Sequence, residues 1–431
     1  MKSRKCTVIE GRALLAMSLL AHCHLAAGAT QPLLPNPAPV VLTMNAADNQ
    51  AFVAAVRAIL AAPPPALAAR LCLPLVSSPV LPMKVPLSVV PRRPMACAPL
   101  KPAEHAVVHV AVLRDGKFWR LFSTHPGRLD AATSLGSVAK SIGAVPLLAL
   151  YGAKPDELWC VQAVANLKNA DGFRGHALCD DPAAWVTAES ALARSNNLAI
   201  LWRLKQLPAS ALRESLEQAG VGNVSRQYHP AVALALGLVE YTPRQALECF
   251  DAMASGLAQR ATIVQGAKAA ASPTAHWCRA ALATPRGQAF VSQLLAAPAG
   301  VNGTAAFLPA VFAGATELRA KTGTPSDSAG NDTGKVLVMS FKRGGHRYTA
   351  LVAWLSPTPS TPLATRLEAA DLVPLLRIVN SHIPSGASRA AAVSLSTPGG
   401  KTPSLHPHKA PCAPHLCNSS SPPSPPSLLR A

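Results

Sequence analysis

Acidic residues are scarce in this 431-residue chain, with 21 Asp and Glu against 40 Lys and Arg, for a formal charge of +19. That excess favours contact with anionic surfaces, among them lipid headgroups and cell-wall polymers. Aromatic residues are scarcer still, at 4%. No basic run is interleaved with them and no nucleic-acid module is recognisable, which removes nucleic acid as a partner. A long apolar run is missing from the amino-terminal region too. The stretch Ala13-Leu-Leu-Ala-Met-Ser-Leu-Leu-Ala21 is followed by His22 and His24 and falls short of the roughly 20 residues a spanning helix requires. With Lys2, Arg4, Lys5 and Arg12 around its start and Ala27-Gly28-Ala29 after it, the segment from Met1 to about Ala29 reads as a cleaved export signal.

Cysteine, by contrast, is plentiful. Of 10 in the chain, Cys6 and Cys23 lie in the signal region, which leaves an even number for a secreted, periplasmic protein. They fall in sequence-neighbouring couples: Cys72 with Cys97, Cys160 with Cys179, Cys249 with Cys278, and Cys412 with Cys417. Eight cysteines allow about 105 connectivities, and pairing between neighbours is the expectation adopted. His406, His408 and His415 stand among the last two cysteines, but their proline-rich setting offers no rigid support for a metal ion. Neither a metal nor a cofactor is implied.

Composition divides the chain. Residues 30–104 are rich in proline and alanine, with one helix expected at Asn49 to Ala61 before Ala62-Pro-Pro-Pro-Ala66, and read as an irregular leader or small cap. Residues 105–383 form the main domain. It opens with a β-hairpin, Val107 to Leu113 and Lys117 to Phe122 around Arg114-Asp115-Gly116. Helical spacing of apolar residues follows over Ser137 to Tyr151, Trp185 to Gln206, Ala209 to Ala219 and Thr242 to Leu257. Strands return at Glu317 to Thr322, Gly334 to Phe341 and Tyr348 to Leu355. Strands at both ends and helices between predict an α/β sandwich whose sheet draws on both ends of the domain. Residues 384–431, dominated by Ser and Pro, read as a disordered tail. Trp202 and Trp354 read as core or cleft walls.

Three short signals occur in order: Ser137-Val-Ala-Lys140, Ser195-Asn196-Asn197 and Lys321-Thr322-Gly323-Thr324. On a helix, Ser137 and Lys140 face the same way, which sets an amine beside a hydroxyl. A serine hydroxyl becomes a useful nucleophile when a neighbouring base takes its proton, and a lysine serves once burial or a second cation lowers its pKa. Lys321 supplies that cation or binds a substrate carboxylate. Ser195 and Asn197, on the loop entering a helix, offer a proton-shuttling hydroxyl and an amide. The N–H groups of Ser137 and Thr324 form an oxyanion hole, and Gly323 leaves room for a substrate along its strand. Each signal alone has a plain structural explanation, since Ser-x-Asn fits a helix N-cap.

Together, in this order and on these elements, they resemble the signature set of penicillin-binding proteins and serine β-lactamases. Asn169 to Gly175, Glu189 to Leu198 and Leu234 to Ala246 are similar to further segments of the penicillin-binding type, so the likeness covers about residues 105 to 380. The resemblance implies a transpeptidase-like fold: an antiparallel sheet flanked by helices, plus an all-helical lobe. It implies a D-Ala-D-Ala transpeptidase or carboxypeptidase acting on peptidoglycan stem peptides and acylated by β-lactams. Ser137 would be acylated, Lys140 its base, and Ser195 and Lys321 further catalytic groups. Asn197, Thr322, Gly323 and Thr324 would bind substrate. No glycosyltransferase domain is expected before Ala106.

Departures from the pattern keep two alternatives open. Ser134-Leu135 replaces the usual proline before the glycine preceding the serine, and Ser141 follows Lys140 where Pro or Phe is usual. A secreted binding protein that kept the fold and lost turnover is one alternative. A β-lactamase is the other, but no Glu-x-x-x-Asn deacylating element lies at a suitable place between Asn197 and Lys321.

Overall fold

The structure, a computed structural model, describes residues 46–70, 72–74, 97–99, 106–161, 179–221, 229–258, 272–326, 332–356 and 367–384. The expected export signal, the segment Asn169 to Gly175, the tail beyond Pro384, and Cys412 and Cys417 lie outside the described residues.

Near-continuous runs of apolar residues, buried on both faces, produce the central sheet. Its strands are β1 (Val107–Arg114), β2 (Lys117–Ser123), β3 (Thr316–Gly323), β4 (Gly334–Arg343) and β5 (His346–Leu355), antiparallel in the order β2-β1-β5-β4-β3. The β1–β2 turn holds Asp115 and Gly116 at φ 48° and 79°, the left-handed pair that matches the twist of a tight hairpin. Successive side chains alternate between faces. Val107, Ala111 and Leu113 enter one apolar cluster, while Val108, Val110 and Val112 enter the other.

Each cluster is closed by helices. The first belongs to a helical lobe that includes α2 (Asn197–Leu204), α3 (Pro230–Leu236), α4 (Pro243–Ala258) and α5 (Pro273–Ala280). The second is covered by α1 (Ala46–Ala61) and α6 (Val373–His382). The helix expected from Asn49 to Ala61 is α1, and it packs within the second cluster. Phe52, Val56 and Leu60 are buried on the sheet, each contributing roughly 1.5–3 kcal/mol. Asn49 Oδ1 accepts from Leu121 N at 3.0 Å and its Nδ2 donates to Leu121 O at 3.3 Å, which occupies the free edge of β2.

Two expected helices are corrected. Ser137 to Tyr151 is a 3₁₀ turn (Gly136–Val138), a π turn (Lys140–Ala144) and an α-helix (Val145–Leu150). Pro146 has no N–H to offer the carbonyl of Ile142, and Trp277 Nε1 donates to that oxygen instead, at 2.9 Å. Trp185 to Gln206 is a short strand (Trp185–Thr187), a helix (Ala188–Ala193) and α2, because Ser195 at φ 54° turns the chain between the helices. Two of the neighbouring cysteine couples are disulfides, Cys160–Cys179 and Cys249–Cys278. Cys72 and Cys97 stand on two short strands, Cys72–Pro74 and Cys97–Pro99, that pair antiparallel. Trp354 is fully buried in the core, and Trp202 packs edge-on against Trp185.

Candidate active site

The three motifs converge at the end of the edge strand β3. Close backbone contact holds the turn that carries Ser137. Gly136, at φ 54°, lies against β3's extension, where an added Cβ would stand 2.4 Å from the carbonyl oxygen of Thr324. Gly237 caps α3 in the left-handed region at φ 70°, and a Cβ there would stand 2.3 Å from Gly136 O and 3.0 Å from Ser137 N. A Cβ on Gly323 would stand 2.1 Å from Leu135 O. Only glycine permits such approaches. A two-residue ladder, Thr133–Ser134 against Glu240–Tyr241, ties the chain before this turn to the chain after Gly237. The N–H groups of Ser137 and Thr324 donate to no backbone carbonyl among the described residues, and are free to bind an oxyanion.

The second serine is held by side chains. Ser195 follows the helix Ala188–Ala193 as a left-handed terminus, its N–H donating to Leu192 O at 3.0 Å and that of Asn196 to Ala191 O at 2.7 Å. A non-glycine residue there carries strain of roughly 1 kcal/mol. Asn196 is the N-cap of α2, accepting from Leu198 N at 3.0 Å and Ala199 N at 3.2 Å. The middle residue of the motif therefore does the capping and leaves both its neighbours for the cleft. Lys140 Nζ donates to Ser195 O and Ser195 Oγ, each at 3.2 Å, and to Asn197 Oδ1. Lys321 Nζ donates to Ser195 Oγ at 2.9 Å and to Thr322 O at 2.7 Å.

Both lysines are fully buried with no carboxylate bonded to them among the described residues. Burial lowers Lys140 to about 7. Burial also carries Lys321 well below the ordinary lysine range, and the neighbouring charges of Lys140 and Lys335 push it the same way. The two amines share one hydroxyl oxygen, so charging both is opposed and at least one is a free amine near neutral pH. As a free amine, Lys140 can donate to Ser195 O and Asn197 Oδ1 and still present a lone pair.

Ser137 is half-buried and opens onto a cavity of ≈ 590 Å³ together with Ser195, Asn197, Thr322, Gly323 and Thr324. No hydrogen bond joins Ser137 Oγ to Lys140, Ser195 or Lys321 among the described residues. The structure thus gathers Lys140, Ser195, Asn197 and Lys321 into one bonded network and sets Ser137 on the same cavity beside it. Lys140 and Lys321 stand behind that lining. Residues outside the motifs complete the wall: Thr304, whose Oγ1 accepts from Thr322 Oγ1 at 2.8 Å, with Phe307, Lys335 and Glu368. Nothing in the sequence near Thr304 signals this role, because it is set by the loop's return past β3. Gly237 did carry a signal, as the glycine of the segment Leu234 to Ala246.

No sequence model of a protein family matches the chain, and no curated protein matches it. Solved structures do. The transpeptidase domain of Burkholderia pseudomallei penicillin-binding protein 3 is similar at 15% identity and TM-score 0.44, over 69% of this chain and 92% of that one. A peptidoglycan glycosyltransferase from Burkholderia ambifaria is similar at 15% identity and TM-score 0.43, over 69% and 93%. A peptidoglycan synthetase from Bifidobacterium adolescentis is similar at 13% and 0.45, over 69% and 59%. Identities this low say nothing of substrate, and the chemistry of this chain rests on its own cleft.

Proposed function

We propose that this chain is a serine acyl-enzyme acting on cell-wall peptides that end in D-Ala-D-Ala, as a transpeptidase or carboxypeptidase. One observation carries the reading: a single hydroxyl, Ser195 Oγ, bonded to two buried lysine amines beside a glycine-clamped serine, with a backbone N–H on each side of the cleft that has no partner among the described residues. Rotation of the Ser137 side chain brings its oxygen to the free amine of Lys140. That contact tightens when substrate is present, as catalytic hydrogen bonds commonly do. Ser137 Oγ then attacks the penultimate carbonyl carbon while Lys140 takes its proton. The N–H groups of Ser137 and Thr324 hold the developing oxyanion. The C–N bond breaks as Ser195 Oγ–H gives a proton to the leaving amine and is reprotonated from the lysine pair. Terminal alanine departs, and water or a second amine attacks the ester.

Asn197 positions Lys140, and Thr322 and Gly323 form the floor along which the peptide lies beside the edge strand. Among the described residues two disulfides are formed and no helix is long and apolar enough to cross a membrane. The disulfides agree with a periplasmic setting, where the excess of Lys and Arg over Asp and Glu draws the protein toward anionic wall or lipid surfaces.

A second reading, a binding protein without turnover, is favoured by one feature, the absence of a bond from Ser137 Oγ to any lysine among the described residues. Intact-mass spectrometry after incubation with a β-lactam separates the two. We expect a one-to-one adduct on the wild type and none on Ser137→Ala, with the folds of both verified by circular dichroism. A folded wild type that never gains mass leaves only the binding reading.

A further inference from the structure

A second cavity, of ≈ 270 Å³, is built on the residues next to Ser195 and Thr304 and shares no lining residue with the cleft. One wall is the helix Ala188–Ala193, with Glu189, Ser190 and, just past its end, Arg194. The other is the loop from Ala297 to Asn302. That loop is closed on itself: Gly300 N donates to Ala297 O at 3.0 Å, Gly303 N to Gly300 O at 2.9 Å and Ala305 N to Pro298 O at 2.8 Å. A Cβ on Gly303 would stand 2.1 Å from Pro298 O. Thr304 N donates to Ala193 O at 3.0 Å and joins the two walls, so the cavity is preformed.

Its polar groups are left over from folding. Arg194, Asn302 and the Ser190 hydroxyl bond nothing through their side chains among the described residues. Glu189 accepts one bond, from Gln293 Nε2 to its Oε2 at 3.0 Å, which leaves Oε1 open. Guanidinium and carboxylate line the same cavity, yet no ion pair joins them. Arg194 lies one turn after Ser190, its N–H donating to Ser190 O at 3.1 Å, and shares that residue's face. Ser190 N–H is itself taken by Thr187 Oγ1 at 3.1 Å, so an anion in the cavity meets the guanidinium and not the start of the helix.

We propose that this cavity binds a small α-amino acid as its zwitterion, with the carboxylate on Arg194 and Asn302 and the ammonium on Glu189. Opposite charges that do not pair across a cavity are satisfied together by a ligand that bears both. A guanidinium grips a carboxylate through two parallel hydrogen bonds, each roughly twice as strong as a neutral one. Volume limits the remainder: at roughly 30 Å³ per water the cavity displaces about nine, which suits a short side chain. Ala193, Ala297 and Val301 are there to meet it. Alanine, released in the reaction proposed above, belongs to this class, but the site stands whether or not that reaction occurs.

Calorimetric titration of the full-length protein tests the assignment, with D-alanine and L-alanine as ligands and with N-acetylalanine and alaninamide as analogues that keep one charge each. One of the two alanines should bind saturably, and both analogues about tenfold or more weakly. Arg194→Ala should weaken alanine by about tenfold to a hundredfold, and Arg194→Lys by less, since an ammonium lacks the fork. In Glu189→Gln, alanine and N-acetylalanine should bind within about threefold of each other. Neither residue lines the cleft, so loss in these variants, with folds verified by circular dichroism, locates the ligand in this cavity. Binding unchanged in folded Arg194→Ala and Glu189→Gln overturns the assignment, as does a wild type that binds neither alanine saturably.

Discussion

Ser137 and Ser195 open onto one cleft and are held in opposite ways. Around Ser137 the chain is fixed by backbone against backbone, with Gly136, Gly237 and Gly323 packed so closely that a single Cβ would stand 2.1–2.4 Å from a carbonyl oxygen. Around Ser195 the backbone is strained, at φ 54°, and side chains bond the hydroxyl from both sides. The first arrangement makes a rigid turn whose hydroxyl is left free to react. The second makes a polar junction whose value lies in the protonation of its lysines. Rigidity and proton handling are thus assigned to different walls, and substitutions on the two walls should fail in different ways.

The largest effect is expected at the junction. Lys140→Ala removes the base and should slow β-lactam acylation by about 10³-fold, within the range for a positioned general base. In the wild type, the free amine is the active form. Acylation should therefore climb about tenfold per pH unit below 7 and level off above it, since burial sets Lys140 to about 7. Stability follows with a definite sign. The unfolded lysine titrates near its ordinary value of 10.5, so between about 7 and 10.5 the unfolded chain binds more protons and the fold gains stability as pH rises. Below 7 the lysine is charged in both states and the penalty is constant. Melting temperatures of wild type and Lys140→Met, compared from pH 6 to 9, should diverge by this component. Parallel curves would mean that Lys140 is not desolvated in the folded protein.

A smaller effect, and the sharpest contrast, comes from exchanging the two residue types. Gly237→Ala forces a side chain into the left-handed region and onto Gly136 O. It should cost about 2–4 kcal/mol of stability and about 10² in acylation, since it shifts the turn itself. Ser195→Gly relieves the strained φ while deleting the shared hydroxyl. These effects offset one another in stability, so the melting temperature should change little while acylation falls about 10²-fold. If the Ser195→Gly protein unfolds as readily as Gly237→Ala, the two walls are not distinct in the way described.

Which parts of this were legible in sequence follows the range of the interactions. Apolar runs and the Asp-Gly turn located β1, β2, β3, β4 and β5 to within a few residues, because a strand's apolar run is a local property. Lys321-Thr322-Gly323 could be set on a strand for the same reason. The helix expected over Trp185 to Gln206 was wrong because apolar spacing runs on across Ser195, where the turn depends on a helix terminus and on two distant lysines. Asn196 and Asn197 are the same residue type in adjacent positions, and only the geometry shows that one caps α2 while the other reaches Lys140. Lys335 and Thr304 belong to no motif. Their positions come from strand pairing and loop return, which composition does not encode.

The least effect is expected from the disulfide behind the nucleophile, and it tests whether the rigid wall extends beyond its glycines. Cys249 Sγ lies 3.8 Å from Ser141 O and Cys278 Sγ 3.9 Å from Ile142 O. A disulfide sulfur has no hydrogen to donate, so these are packing contacts, and they back the π turn that begins at Lys140. Trp277, beside Cys278, supplies the hydrogen bond that Pro146 withholds from Ile142. Replacing both cysteines by alanine opens a 29-residue loop and should cost roughly 3–4 kcal/mol. Because Trp277 still holds Ile142, acylation should fall only about threefold to tenfold, as expected for a support one layer removed from the reacting groups. The Cys160–Cys179 pair touches neither lysine. Its double alanine variant should lose stability and leave the acylation constant unchanged at a temperature where both variants remain folded. Equal acylation losses in the two variants would show that loosening of the lobe as a whole, rather than the backing of the π turn, reaches Lys140.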